Sequence, residues 1–294
     1  MLENVRFNAE ENLTMKPEEA ARCHLVRGLA ALGDLFVNDA FGTAHRSQPT
    51  IVGLPVAMKS VAGLLMEKEV LTLSKVFSNA PRPVSVVLGG TKVDDSIAVA
   101  EHMLKDHIAD QVIVIGVVAN VFLLAMGYDI GRPSAQLIQQ LKYEKEIGKA
   151  KEILREFRDR IIVPEWVAVR EGGARTEYPV SAIPPDAPVL DLGMDSVLRL
   201  SDRVRESGTV VFNGPAGVFE DRDFATGTYE LLKAAAKTPF SIIGGGHTAA
   251  VVEQLGIERD FSHISTGGGA CIEFLTGKKL PAVEALERSK ELFG

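Results

Sequence analysis

Four apolar stretches of this chain run straight into glycine: Ser85-Val86-Val87-Leu88-Gly89-Gly90, Thr209-Val210-Val211-Phe212-Asn213-Gly214, Ser241-Ile242-Ile243-Gly244-Gly245-Gly246 and His263-Ile264-Ser265-Thr266-Gly267-Gly268-Gly269. Glycine at a strand end lets the main chain approach a phosphate, and a helix that follows points its unpaired N–H groups at the same anion. Open parallel α/β sheets bind their ligands at that carboxyl edge. The pattern points to a nucleotide.

Each motif can be weighed alone. Gly244-Gly245-Gly246-His247-Thr248-Ala249 fits the G-x-G-x-x-A dinucleotide fingerprint, but that fingerprint also needs an acid at the end of the next strand to hold a ribose. The next strand ends in Ser265-Thr266-Gly267, with no carboxylate, which disfavours a nicotinamide cofactor. A phosphate cradle is the better reading, with Thr248 as a hydroxyl donor at the helix start; a plain tight turn is the alternative. No G-x-x-x-x-G-K-[ST] motif is present, so this is not a P-loop protein. Lys92 follows Gly89-Gly90-Thr91 just past a strand end, where a transferring phosphoryl group could sit, although a lone lysine there is more often a solvated surface group. Asn213-Gly214-Pro215-Ala216-Gly217-Val218-Phe219-Glu220 joins a strand end, glycines, a rigid proline and a carboxylate able to bind ribose hydroxyls. Arg6 and Arg46 each close a strand-like fragment and together could fork a carboxylate or phosphate, or else pair with Asp39 or Glu10. His24, His102 and His107 lack partner spacing and read as surface or packing residues.

The bulk numbers limit the classes. The chain has 294 residues and a formal charge of −7, which argues against a nucleic-acid partner and leaves anion binding to local clusters. Cys23 and Cys271 are the only cysteines, in no ligand-like spacing, so neither a disulfide framework nor a zinc site is suggested. No signal-peptide pattern opens the sequence, and a cytoplasmic setting is expected. The apolar run Val112–Gly127 is too short for a membrane span and reads as a buried strand leading into a buried helix.

The elements that must position these residues alternate. A helix is expected between Thr14 and Gly33, a strand over 35–38, a strand fragment over 2–7 and a helix over 62–76; the two prolines of Ser78-Asn79-Ala80-Pro81-Arg82-Pro83 mark a linker. Beyond it, strands over 84–88, 111–115, 161–163, 209–212, 240–243 and 262–265 alternate with helices, one of them long and charged over 135–158. Trp166–Arg170 and Val189–Leu192 read as short strands in a turn-rich stretch, and 280–294 as an amphipathic helix. The alternation argues an α/β fold with a doubly wound parallel sheet.

Taken together and in order, Glu3-Asn4-Val5-Arg6-Phe7, Val37-Asn38-Asp39-Ala40-Phe41-Gly42-Thr43-Ala44-His45-Arg46, Leu88-Gly89-Gly90-Thr91-Lys92-Val93, Asn213 to Glu220, Ile243 to Thr248 and Ser265 to Ala270 closely resemble the phosphoglycerate kinases, and the resemblance covers essentially the whole chain. It implies a two-lobed fold: an incomplete N-terminal, phosphoglycerate-side domain over 1–68, a hinge helix and linker over 69–82, a C-terminal nucleotide-binding domain over 83–275, and a return helix over 276–294. It implies reversible phosphoryl transfer between ATP and 3-phosphoglycerate, with Mg2+ accompanying ATP or ADP. Lys92 is the implied catalytic residue, steadying the transferring phosphoryl. Arg6 and Arg46 belong by implication to the phosphoglycerate patch. Gly89, Gly90, Lys92, Gly116, Asn213, Gly214, Pro215, Glu220, Gly245, Gly246, His247 and Thr248 are the implied nucleotide-binding residues. Small molecules are the expected partners, with no nucleic acid and no membrane, and the protein acts as a monomer or homo-oligomer.

The chain departs from the family pattern in places. Ser96 stands where many members carry a second lysine, His247 where they carry an aspartate near the magnesium, and Ile115 where a glycine of the adenine-side loop is common. No metal ligand is therefore assigned. His247-Thr248 and Val118-Ala119-Asn120-Val121-Phe122 resemble the archaeal branch. The family's opening quarter, with further substrate-binding residues, is expected to be missing, so low turnover is expected. The alternative is a non-catalytic ADP- or ATP-binding protein derived from the kinase.

Overall fold

The computed structural model describes residues 1–294, which form two compact units: Met1–Ser74 with Thr266–Gly294, and Lys75–Ser265. This division differs from the expected boundaries. It falls inside the helix Leu64–Ser78, and Thr266–Leu275, expected in the second domain, groups with the first. The reason is local packing: a Cβ at Gly267 would lie 2.4 Å from the Phe41 ring, and one at Gly269 would lie 3.2 Å from the His45 imidazole.

The first unit is built from short pieces. Strands β1 (Phe36–Asn38) and β2 (Ser60–Ala62) pair in parallel with Val37 opposite Val61, and both valines are exposed. The single helix expected between Thr14 and Gly33 is two helices, Pro17–Ala20 and His24–Ala30. The break follows from Glu10, whose carboxylate accepts the His24 and Leu25 N–H groups at 3.3 and 2.8 Å and so caps a new helix start. Cys23, Val26 and Leu54 pack beneath it with Met15, Leu29 and Phe36. The strand fragment expected over 2–7 does not form. Val5–Phe7 is a 3₁₀ turn in which the Asn4 side chain accepts from the Arg6 N–H, and Leu2 and Phe7 are exposed. The closing helix Pro281–Phe293 packs on Leu54–Ala57 and β2, where the Ser60 N–H donates to Ser289 Oγ at 2.9 Å.

The second unit holds the large sheet. Its strands are β3 (Val84–Leu88), β4 (Gln111–Val114), β5 (Ile161–Ile162), β6 (Trp166–Glu171), β7 (Ala174–Pro179), β8 (Val189–Leu192), β9 (Thr209–Asn213), β10 (Phe240–Gly244) and β11 (His263–Ile264). Six of them form one all-parallel sheet in the order β11-β10-β9-β3-β4-β5. A parallel sheet is covered on both faces, so its strands are continuous apolar runs. Val86, Val87, Leu88, Ile113, Val211, Phe212 and Ile243 are all fully or almost fully buried, each such side chain contributing about 1.5–3 kcal/mol of apolar transfer. The run Val112–Gly127 is buried strand and helix as expected, and no helix of the chain is long and apolar enough to cross a membrane.

Two departures have identifiable causes. The long charged helix expected over 135–158 is two, Arg132–Gln140 and Glu144–Phe157, separated where Lys142 takes a left-handed φ of 62°. The turn-rich stretch contains a hairpin: β7 pairs antiparallel with β6, and β8 pairs on β6's other side. Strand β7 reads Ala-Arg-Thr-Glu-Tyr-Pro and lacks apolar alternation. It forms because Gly172 and Gly173, with φ of 56° and 86°, make the two-residue turn that suits strand twist.

Candidate functional site

From β3 the chain moves outward through β4 to β5; from β9 it moves the other way through β10 to β11. The carboxyl ends of neighbouring β3 and β9 thus lie where the winding reverses, the place at which open α/β sheets leave a crevice. Three of the four glycine-terminated stretches meet there. The Gly89 N–H donates to the Asn213 carbonyl and the Gly90 N–H to the Pro215 carbonyl, both at 2.8 Å. The approach is so close that a Cβ on Gly214 would lie 2.2 Å from the Gly89 carbonyl oxygen, and Gly214 also holds φ at 91°. The fourth stretch, from β11 into Gly267-Gly268-Gly269, passes into the first unit at Thr266.

Strand β10 adds the third wall. Gly245 turns at φ 83° into the helix Gly246–Leu255, whose first N–H groups have no partner within the helix. A Cβ at Gly246 would meet nothing within 4 Å, so the space outside this amide is open. Thr248 is used differently from the expectation. Its hydroxyl is fully buried and accepts the Gly214 N–H at 2.9 Å, tying the β9 loop to the β10 helix, so it does not stand open at the helix start. His247 is exposed and tilts against Phe219, ring centres 6.2 Å apart.

Lys92 caps the helix Val93–Lys105 just beyond β3; it is exposed and its ammonium makes no hydrogen bond or ion pair. Glu220 is likewise exposed and unpaired. Asn213, the last residue of β9, is only 8% exposed and its Oδ1 has no partner. Such an orphaned polar atom is a feature that a bound molecule or water satisfies.

Beside these groups lies a cleft of about 220 Å³, bordered by Gly90, Gly116, Pro215, Glu220 and His247 at one side. Val117, Leu137, Val167, Val189 and Leu192 make its apolar wall. An apolar slot next to glycine backbone, a helix N-terminus, a free ammonium and a free carboxylate suits a molecule with a flat apolar end and a polyanionic one. The chain forms no group of three or more His, Cys, Asp or Glu able to hold a metal ion.

The sequence reading missed Asp191, which also lines this cleft. It is 2% exposed, and its Oδ2 accepts the Gly227 N–H at 3.0 Å and Arg175 at 3.2 Å. Burial pushes the carboxyl up to about 6, against the opposing pull of the Gly227 and Leu192 N–H groups and the Arg175 guanidinium. An acid inside the apolar run Val189-Leu190-Asp191-Leu192 was the available signal.

In the first unit, the Arg46 guanidinium is free of hydrogen bonds, and Arg6 donates to Asn12 Oδ1 at 3.3 Å. The pairings with Asp39 or Glu10 do not form. Asp39 accepts the Leu65 and Met66 N–H groups at 2.7 and 2.9 Å, capping Leu64–Ser78, and Glu10 caps the helix at His24. A fork between two strand ends is also not what the chain builds, because Arg6 sits on a 3₁₀ turn.

A family model described as phosphoglycerate kinase matches residues 1–278. A phosphoglycerate kinase of Methanocorpusculum labreanum is 65% identical over 294 residues, covering 100% of this chain and 73% of the relative. One from Methanothermus fervidus is 44% identical over 292 residues, covering 99% of this chain and 71% of the relative. The crystal structure of phosphoglycerate kinase from Pyrococcus horikoshii OT3 superposes with a TM-score of 0.93 at 40% identity, over 99% of this chain and 73% of that one.

Proposed function

The chain belongs to the phosphoglycerate kinase family, and on that premise we propose that the cleft at the reversal of its sheet takes Mg-ADP or Mg-ATP. The family is a kinase family with a carboxyl group as acceptor: it transfers a phosphoryl group reversibly between ATP and 3-phosphoglycerate, a step of glycolysis and gluconeogenesis. The family fold, two-lobed and α/β, is that of this chain.

The residue roles follow from chemistry. Phosphoryl transfer needs little covalent help from a protein; it needs the two ends held in line and the moving negative charge neutralised. Lys92, an unpaired ammonium one residue before a helix, supplies a charge that is not already neutralised by a neighbour. The N–H groups of Gly246, His247 and Thr248 at the start of their helix receive phosphate oxygens, favoured by the helix dipole. The Glu220 carboxylate accepts ribose hydroxyls, and Val117, Leu137 and Val189 face the base. Gly89, Gly90, Gly116, Gly214 and Pro215 supply backbone that a ligand can approach. Mg2+ enters with the nucleotide and shares its phosphate charge. Arg6 and Arg46 take the acidic acceptor in the first unit, and the reaction runs in the cytoplasm.

The observation that carries this reading is the convergence of three glycine-terminated strand ends on one cleft, with the buried Asn213 Oδ1 left unpartnered beside Gly245. Amide hydrogen exchange tests it. Mg-ADP is expected to protect residues 88–92, 213–220 and 245–249. Protection confined to other segments would remove the nucleotide from this cleft.

A further inference from the structure

The loop that joins β9 to the helix Thr226–Ala235 carries Val218, Phe219 and Glu220 to the cleft, yet has little regular structure of its own. It is fastened instead at defined points. The Ala216 N–H donates to Thr228 Oγ1 at 3.0 Å, and the Val218 N–H donates to the Leu190 carbonyl of β8 at 2.9 Å. The loop's far shoulder rests on one guanidinium. Arg175, from β7, donates to the Asp223 carbonyl at 2.8 Å, to the Leu192 carbonyl at 2.9 Å, to Asp191 Oδ2 at 3.2 Å and to Glu177 Oε1 at 2.9 Å. Asp191 Oδ2 in turn accepts the Gly227 N–H, so the acid and the arginine together span both strands and the loop's exit.

Phe224 completes the arrangement. It is 1% exposed, and two arginines lie over its ring, Arg170 at 5.0 Å and Arg175 at 5.8 Å. Arg170 also pairs with Asp221, the residue after Glu220. Glu177 closes the circuit by accepting the Met194 N–H at 2.8 Å, at the start of the helix that follows β8. Asp191 Oδ1 has no partner and lies where a Cβ on Gly217 or Gly227 would intrude, at 2.8 and 2.3 Å. A buried ion pair with an unsatisfied oxygen is weak evidence for stability, and apolar residues of similar volume often serve a fold as well. Its place under a ligand-binding loop gives it another use.

We propose that Arg175 and Asp191 are positioning residues for the nucleotide, holding the loop Ala216–Phe224 on β8 so that Glu220 and Val218 face the cleft. Neither acts on the phosphates. The inference rests on the nucleotide reading of the cleft and extends it to residues on a hairpin that no motif marks. Removal of the guanidinium frees the loop's shoulder while leaving the phosphate-side backbone at Gly245–Thr248 in place, so affinity for the nucleoside end falls.

The test is calorimetric titration of Mg-ADP into the full chain, with Trp166 emission and circular dichroism as checks that β6 and the fold persist. Arg175→Ala is expected to weaken binding at least tenfold and Arg175→Lys to restore part of it. In the Glu220→Ala background, Arg175→Ala is expected to weaken binding less than threefold, because the group it positions is gone. Wild-type affinity in a folded Arg175→Ala chain would overturn the proposal, as would an undiminished effect in the Glu220→Ala background. Should Arg175→Ala unfold, Arg175→Lys decides, since an ammonium cannot span the Asp223 and Leu192 carbonyls and both acids at once: about threefold weaker binding supports the proposal and unchanged binding overturns it. Absence of binding by the folded wild-type chain would refute the nucleotide reading itself, and the positioning claim with it. Wild-type binding that Glu220→Ala weakens and Arg175→Ala does not would overturn the positioning claim alone.

Discussion

Two glycines beside the cleft separate what the fold needs from what the ligand needs. A methyl group added at Gly214 would stand 2.2 Å from the Gly89 carbonyl oxygen and 2.4 Å from its carbon, both backbone atoms between neighbouring strands, with φ at 91°. Relief of that overlap costs about 1–3 kcal/mol as overpacking, and the left-handed backbone adds about 1–2 kcal/mol for a residue with a Cβ. Gly214→Ala should therefore destabilise the second unit by about 2–5 kcal/mol. Gly246 differs: its added Cβ meets nothing within 4 Å, and the residue opens a helix with φ outside the left-handed region. Gly246→Ala should leave stability unchanged or raise it by up to about 1 kcal/mol. The open space its methyl group would fill is the space assigned to phosphate, so Mg-ADP affinity should fall at least tenfold, about 1.4 kcal/mol. Urea unfolding and calorimetry read the two effects separately. A Gly246→Ala chain that binds Mg-ADP like the wild type would refute the helix-start cradle, and a Gly214→Ala chain of wild-type stability would refute the close approach of the β3 and β9 loops.

Three further outcomes follow from the same geometry. Asp191 titrates near 6 in the fold rather than 3.8, so its stabilising protonated form is fully present below about pH 4 and lost as pH rises through 6. Wild-type stability should fall relative to Asp191→Asn by up to about 3 kcal/mol between pH 4 and pH 7 in urea unfolding, and parallel profiles would contradict the buried-acid assignment. Thr248→Val keeps the shape but leaves the Gly214 N–H without an acceptor, a loss of about 1–3 kcal/mol in thermal or urea unfolding; an unchanged midpoint would show that the tie carries no load. Lys92→Ala should lower whatever rate of phosphoglycerate-dependent ATP consumption the chain shows by about 100-fold, the order found for removing a charge-stabilising group, and a rate within threefold of wild type would remove Lys92 from the transfer step.

The strands of the large sheet were legible because they are apolar runs, a signal that burial on both faces imposes on parallel strands, and four of them run into glycine. Helix Val93–Lys105 is one of the helices expected between those strands, with Asp94 and Asp95 opening it and Lys105 closing it. What escaped depends on partners distant in sequence. Glu10 caps a helix that starts fourteen residues away, which periodicity alone cannot reveal. Strand β7 has no apolar face and exists because β6 is beside it, although Gly172-Gly173 was a readable turn signal. In the site, the glycines, Lys92 and Glu220 were legible as a chemical set. Asp191 and Arg175 were not, because a lone acid in a strand acquires meaning only once the loop folds over it.

Whether the cleft between the carboxyl ends of β3, β9 and β10 holds a nucleotide is decided by a calorimetric titration of Mg-ADP into the folded chain. Saturable binding of one nucleotide per chain is expected, weakened at least tenfold by Glu220→Ala at unchanged circular dichroism. A folded chain that gives no binding heat, or one whose affinity is indifferent to Glu220→Ala, would contradict it.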